Sequence, residues 1–145
     1  MTYRLFACLF CLLGMILGGC SALLPDVDIP APPGSVAYTT SRNANIDLLL
    51  VDFDQTVRGV LKQQHYKVME SQMFTTTLTI SNVVGFYSDE MTARNWQPAS
   101  NSLPDDKSQA VLAYQKNRHL FVVAALDTKK YRGPGVIIYT LQATK

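Results

Sequence analysis

The sequence predicts an α+β domain: two helices packed on one face of a mostly antiparallel sheet of about four strands, in the order α-β-α-β-β-β. Three observations carry this expectation. In two segments, 46–61 and 80–91, apolar residues recur at steps of three and four, the period of one helical face. In several other segments β-branched and aromatic residues accumulate and alternate, as strands with a buried face do. The last three of those segments follow one another through short connections, which favours antiparallel pairing and a sheet set apart from its helices.

The first helix is expected over about 45–62. Asn45 is a good N-cap, and Asp47 falls in the first turn, where the helix dipole favours negative charge. Ile46, Leu49, Leu50, Phe53, Val57, Val60 and Leu61 make its buried stripe; Asp54 and Arg58 have i,i+4 spacing, and Lys62 closes the last turn. On this register Asp52 and Asp54 point away from the apolar stripe. The first strand is expected over 65–77, with Tyr66, Val68 and Met73 inward. The second helix, 80–94, buries Ile80, Val83, Val84, Tyr87 and Met91, and is capped by Thr79 or Ser81. Asn95 suits the left-handed position that ends many helices, after which Trp96 folds back onto the core. Residues 97–109 read as a polar loop. Strands are expected at 110–115 and 120–126, joined through Lys116-Asn117-Arg118, and at 135–143 after the loop DTKKYRGP. Residues 36–39 are a candidate for one more short strand.

The N-terminus reads MTYRLFACLFCLLGMILGGC. Arg4 supplies a basic start, and residues 5–17 are almost uninterrupted apolar sequence. That run is shorter than the roughly 20 residues of a transmembrane helix and has the layout of a secretory signal. It ends in Leu17-Gly18-Gly19-Cys20, which resembles the lipobox of bacterial lipoproteins, where small residues fit the peptidase and the thiol accepts diacylglycerol. The resemblance implies a signal peptide at 1–19 and acylation of Cys20 on its sulfur and its amine. Membrane lipid then holds the chain outside the cytoplasm, since two or more acyl chains anchor stably where one does not. Serine rather than aspartate at position 21 implies the outer membrane if the cell is Gram-negative. Residues 20–35 include Pro25, Pro30, Pro32, Pro33 and Gly34; fixed φ and missing donors make this a semi-rigid tether. It leads to a single α+β domain at 36–145.

Charge and cysteine usage narrow the chemistry. Without Arg4 the chain keeps 12 basic residues against 11 acidic ones, which gives no dominant basic field and argues against a nucleic-acid partner. Cys8 and Cys11 leave with the signal, and Cys20 is committed to lipid, so no disulfide, thiol nucleophile or cysteine-based metal site is expected. Lys129-Lys130-Tyr131-Arg132 reads as a solvated turn.

The stretch LLLVDFDQTV, 48–57, resembles the first motif of the haloacid-dehalogenase phosphatases, a hydrophobic strand running into D-x-D-x-T. The resemblance implies a magnesium-dependent phosphatase in which Asp52 takes the phosphoryl group and Asp54 serves as acid and base, on a parallel doubly wound sheet. The likeness is confined to those residues. Three closing strands without helices between them oppose a parallel sheet. The acidic pair Asp105-Asp106, needed for a magnesium site of oxygen ligands, lies in a polar loop beside Lys107.

No other constellation points to catalysis. His65 and His119 fall in different expected strands with no acidic residue at ligand spacing, and no serine sits in a G-x-S-x-G elbow. Gly133-Pro134-Gly135 precedes a strand and reads as a turn. Tyr87, Trp96, Tyr114 and Tyr139 recur at core periods, with an exposed aromatic binding surface as the other reading. Pro32-Pro33-Gly34-Ser35, Val83-Val84-Gly85-Phe86-Tyr87, Trp96 and the strand at 136–142 resemble features of small bacterial lipoproteins, a likeness that implies no particular activity. The expectation is a lipid-anchored module with a non-enzymatic binding or envelope-assembly role, using no metal and no cofactor. It would meet membrane lipid through Cys20 and an envelope protein through a sheet edge or an apolar groove.

Overall fold

The computed structural model describes residues 28–39, 43–102 and 108–145. The expected signal at 1–19, Cys20, the first part of the expected tether and Asp105-Asp106-Lys107 lie outside the described residues. Strand β1 (Val36–Ala37) leads into helix α1 (Ala44–Gln63), then β2 (Lys67–Thr76), α2 (Ile80–Ala93), β3 (Gln97–Ser102), β4 (Gln109–Lys116), β5 (His119–Asp127) and β6 (Val136–Thr144). All six strands join one antiparallel sheet in the order β1-β2-β6-β5-β4-β3.

The fold is α+β, with six strands where the sequence pattern indicates about four. The two additions are the sheet's edges. β1 spans two residues on β2, and β3, QPASNS, pairs with β4 where a polar loop was expected. The candidate strand at 36–39 is present over two residues; β3 has no apolar face to announce it, and backbone hydrogen bonds to β4 hold it in the sheet. Pro98 belongs to β3, and an edge is where a strand tolerates a residue without an N–H.

The helices end alike. Asn95 takes φ 58° and His65 φ 63°, so each chain turns left-handed one residue past the helix cap. Trp96 N–H then donates to Met91 O at 2.8 Å and Asn95 N–H to Thr92 O at 3.1 Å. Likewise Tyr66 N–H donates to Leu61 O at 2.8 Å and His65 N–H to Lys62 O at 3.1 Å. This double closure satisfies the last helical carbonyls and folds the following aromatic residue back. His65 therefore terminates α1 and does not begin β2. At the other end the N-cap of α1 is Asn43, whose side chain accepts from Asn45 N–H at 3.1 Å, two residues before the expected cap; Thr79 caps α2.

The expectation of both helices on one face is overturned by the parity of the strands. Side chains on β4, β5 and β6 alternate between faces. Leu112, Tyr114, Phe121, Val123, Ala125 and Ile138 share one cluster with Val83, Tyr87 and Met91 of α2 and with Trp96 just after it. Their sequence neighbours Leu120, Val122, Tyr139, Leu141 and Ala143 cluster instead with Phe53, Val57 and Leu61 of α1. The sheet is thus sandwiched, with α2 on one face and α1 on the other. The cause lies in the central strands, which are apolar on both faces and need cover on both.

The α2 side carries the larger buried cluster. Tyr87 is fully buried, its ring centroid 5.9 Å from that of Phe121, and Trp96 packs 6.3 Å from Phe121. Ile29 packs against this cluster, and Asp28 O accepts from Arg94 Nη1 at 2.9 Å, so packed structure reaches back before residue 36. The loop before β6 closes on Thr128, fully buried, whose Oγ1 donates to Gly135 O at 2.6 Å. Gly135 has φ 133°, and a Cβ there would stand 2.8 Å from Thr76 O, so only glycine fits that corner.

Truncating Phe121, which touches both Tyr87 and Trp96, leaves a cavity that the rings around it cannot fill. Phe121→Ala is expected to lower unfolding stability by about 3–5 kcal/mol, read from urea denaturation followed by far-ultraviolet circular dichroism. A loss under about 1 kcal/mol would contradict a closed α2-side core.

Candidate functional site

The site grows out of the two flanks of α1. One flank is polar and pinned to the sheet. Asp54 Oδ1 accepts from Tyr139 Oη at 2.5 Å, while Arg58 Nε donates to Asp54 Oδ2 at 2.7 Å and Arg58 Nη2 to Ser71 Oγ at 2.9 Å. Nearer the helix start, Tyr38 Oη donates to Asp47 Oδ1 at 2.6 Å, and Asn43 Nδ2 donates to Tyr131 O at 2.7 Å. These bonds fasten α1 over β2 and β6. Asp54 is therefore half-buried and engaged with the sheet, not turned to solvent as its place on the expected register implied.

Burial alone raises the Asp54 carboxyl pKa; hydrogen bonds from Arg58 and Tyr139, with the Arg58 charge, outweigh it and hold the group below its ordinary 3.8. The Tyr139 hydroxyl is pushed well above its usual range, first by burial and then by donation to Asp54. Tyr87 is raised by burial.

The other flank is apolar and open. Leu49, Phe53, Thr56 and Val60 recur at steps of four, three and four along α1, and Leu49 and Val60 remain 42% and 47% exposed. Both had been expected in the buried stripe. The real stripe is Ile46, Leu50 and Leu61, with Phe53 and Val57 half-buried. Opposite this flank lies the α1-side face of β4 and β5, where Val111, Ala113 and Ala124 are only half-buried. Two hollows fill the space between. One of about 290 Å³ is walled by Leu49, Phe53, Val111, Ala124 and Tyr139 with Asp52 at its rim. The next, about 390 Å³, is walled by Val60, Leu61, Ala113 and Val122, and the two share Thr56. Together they form a groove running from Leu49 to Gln64, about 22 Å at the helical rise.

A further hollow, about 360 Å³, opens on the α2 side between Asp28–Ile29 and the row Glu70, Gln72, Thr140 and Gln142. Its polar groups partly satisfy one another, Gln72 Nε2 donating to Glu70 Oε1 at 2.6 Å. The groove beside α1 is the place where apolar surface stands open.

Each residue singled out in the sequence has its place. Asp52 is exposed and Asp54 half-buried, both inside α1. The D-x-D-x-T stretch therefore lies within a helix against an antiparallel sheet, without the strand-end geometry that its phosphatase likeness implies. Among the described residues no three His, Cys, Asp or Glu side chains gather as a metal site. Tyr87, Trp96, Tyr114 and Tyr139 are all buried, which makes them core and removes an exposed aromatic surface. His65 is exposed at the α1 terminus and His119 opens β5. Among the described residues no helix is long and apolar enough to cross a membrane. The groove's floor escaped sequence reading because its signal is negative: small residues such as Ala113 and Ala124, half-buried with no side chain large enough to fill the layer.

Compared with protein-family models, curated proteins and solved structures, the chain matches none.

The Asp54 network sets a pH dependence. A carboxyl whose folded pKa lies below its unfolded value contributes stability that is fully present above the unfolded pKa and is lost as pH falls through the folded one. Asp54→Asn is therefore expected to destabilise the protein at pH 6 and to differ much less from the parent at pH 2.5, measured by urea denaturation at both. A stability gap independent of pH would contradict the ionised pairing.

Proposed function

We propose that the chain is a bacterial lipoprotein held by acylated Cys20 to a membrane outside the cytoplasm, the outer membrane in a Gram-negative cell. Its domain works there as a non-catalytic binding or assembly module, taking an apolar segment of a neighbouring envelope protein into the groove beside α1. The groove carries the binding half of this reading. Exposed apolar surface rimmed by polar residues is what a docking partner covers, and Leu49, Phe53, Val60, Val111 and Ala124 offer a ligand no buried charge.

Where the described chain begins supports a protein occupant over the bilayer itself. Asp28 and Ile29 lie on the α2 side, the face opposite the groove. Residues 20–27 span under roughly 30 Å even fully extended. An anchor of that reach would hold the domain close to its membrane.

Two measurements test the reading. Cys20→Ala is expected to abolish incorporation of labelled fatty acid and to release the protein from the membrane fraction; unchanged partition would contradict the anchor. With the full chain in its native envelope, a photoreactive residue at Thr56 is expected to mark one discrete protein, with the yield reduced at least several-fold by Leu49→Glu. The same probe at Ser88, exposed on α2, is expected to leave that protein unmarked. Equal labelling from both positions would contradict groove docking.

A further inference from the structure

Helix α1 carries more apolar surface than its own fold and groove use. Among the described residues six large apolar side chains stand exposed, and four are on α1: Leu48 at 67%, Val51 at 52%, Val60 at 47% and Leu49 at 42%. Leu49 and Val60 border the groove. Leu48 and Val51 do not. With Gln55, Gly59 and Lys62 they recur at steps of three and four on the side of the helix turned from the sheet, and all five are exposed.

Gly59 is the odd member of that face. It sits inside a helix, where glycine is unfavourable, and a Cβ built there would meet nothing within 4 Å. No packing within the domain calls for it. Its absent side chain leaves room for another backbone or side chain to come close.

The charges are ordered along the same face. Asp47 and Asp54 are already bonded to Tyr38 and Arg58. Asp52 and Lys62 are both exposed and form no ion pair among the described residues. The acid stands near mid-helix and the base ten residues on, in the last turn. Two copies of α1 laid parallel would set Asp52 against Asp52; laid antiparallel, each acid meets the other copy's base.

We propose that the protein forms a twofold dimer in which the outer face of α1 packs antiparallel on the same face of a second copy. Pairing centred near Gln55 sets Val51 of each copy against the bare Gly59 of the other. Leu48 then lies along the methylene stem of the other copy's Lys62, whose ammonium reaches Asp52. Because a twofold interface is self-complementary, every one of these contacts is made twice. This goes beyond the groove, which lies on the adjacent flank of the same helix.

The test uses the full lipid-bearing chain in detergent solution. Sedimentation equilibrium is expected to show a monomer–dimer equilibrium. Asp52→Lys or Lys62→Asp alone is expected to raise the dissociation constant about five- to tenfold, since each reversal turns two exposed attractions into repulsions. The double reversal is expected to restore dimerisation to within about twofold of the parent. In membranes, mild oxidation of Gln55→Cys is expected to give a disulfide-linked dimer, and Ser88→Cys none. Monomer at all concentrations up to about 100 μM, a double reversal no better than the single ones, or equal cross-linking at both positions would overturn the proposal. Because Gln55, Asp52 and Lys62 lie on the exposed side of α1, loss of folding does not cloud these variants, and circular dichroism checks that.

Discussion

Two strands that are apolar on both faces govern this molecule. In β5 the consecutive residues Leu120, Phe121, Val122 and Val123 are all buried, and in β6 burial is unbroken from Val136 to Leu141. A strand with one wet face alternates; these do not. Each fully buried Val, Leu, Ile or Phe side chain is favoured by about 1.5–3 kcal/mol over its exposed state. Leaving either face of β5 and β6 in water would therefore forfeit several such contributions at once. One helix cannot cover both sides, so α2 takes one and α1 the other, and the remaining strands extend the sheet from this centre.

How each helix sits on its face then decides where the surface stays open. On the α2 side a ring cluster of Tyr87, Trp96 and Phe121 closes over β4 and β5. On the other side Asp47, Asp54 and Arg58 draw α1 toward Tyr38, Ser71 and Tyr139, over β2 and β6. One helix set over β2 and β6 does not reach across the sheet, and the uncovered half of β4 and β5 becomes the groove. Polar bonds that look merely structural thus leave the groove open by holding the helix to one side. The same helix carries Leu48, Val51 and Gly59 on its outer side, so the groove and the proposed dimer face belong to a single element.

Elements set by local chemistry could be read from the residues. The 3.6-residue period of Ile80, Val83, Tyr87 and Met91 located α2 almost to the residue, and Asn95 announced the left-handed turn that returns Trp96 to the core. The i,i+4 spacing of Asp54 and Arg58 foretold their ion pair. What was not legible depends on contacts distant in sequence. β3 has no periodicity of its own and exists because β4 offers it backbone partners. His65 terminates α1 in a conformation that no local motif demands of histidine. The bond between Asp54 and Tyr139 spans 85 positions, so a spacing rule within α1 placed that carboxylate in solvent. The two-sided burial did have a signal: the unbroken runs LFVVAAL and VIIYTL are what strands covered on both faces look like.

The placement of the helices on opposite faces is tested most directly by nuclear Overhauser contacts in the folded protein. The account predicts contacts from the Tyr87 ring to Phe121 and from the Phe53 ring to Tyr139, where the structure gives centroid separations of 5.9 and 5.5 Å. It predicts none between Phe53 and Tyr87. A contact between those two rings, or one from Tyr87 to Tyr139, would put both helices on one side of the sheet and contradict the sandwich.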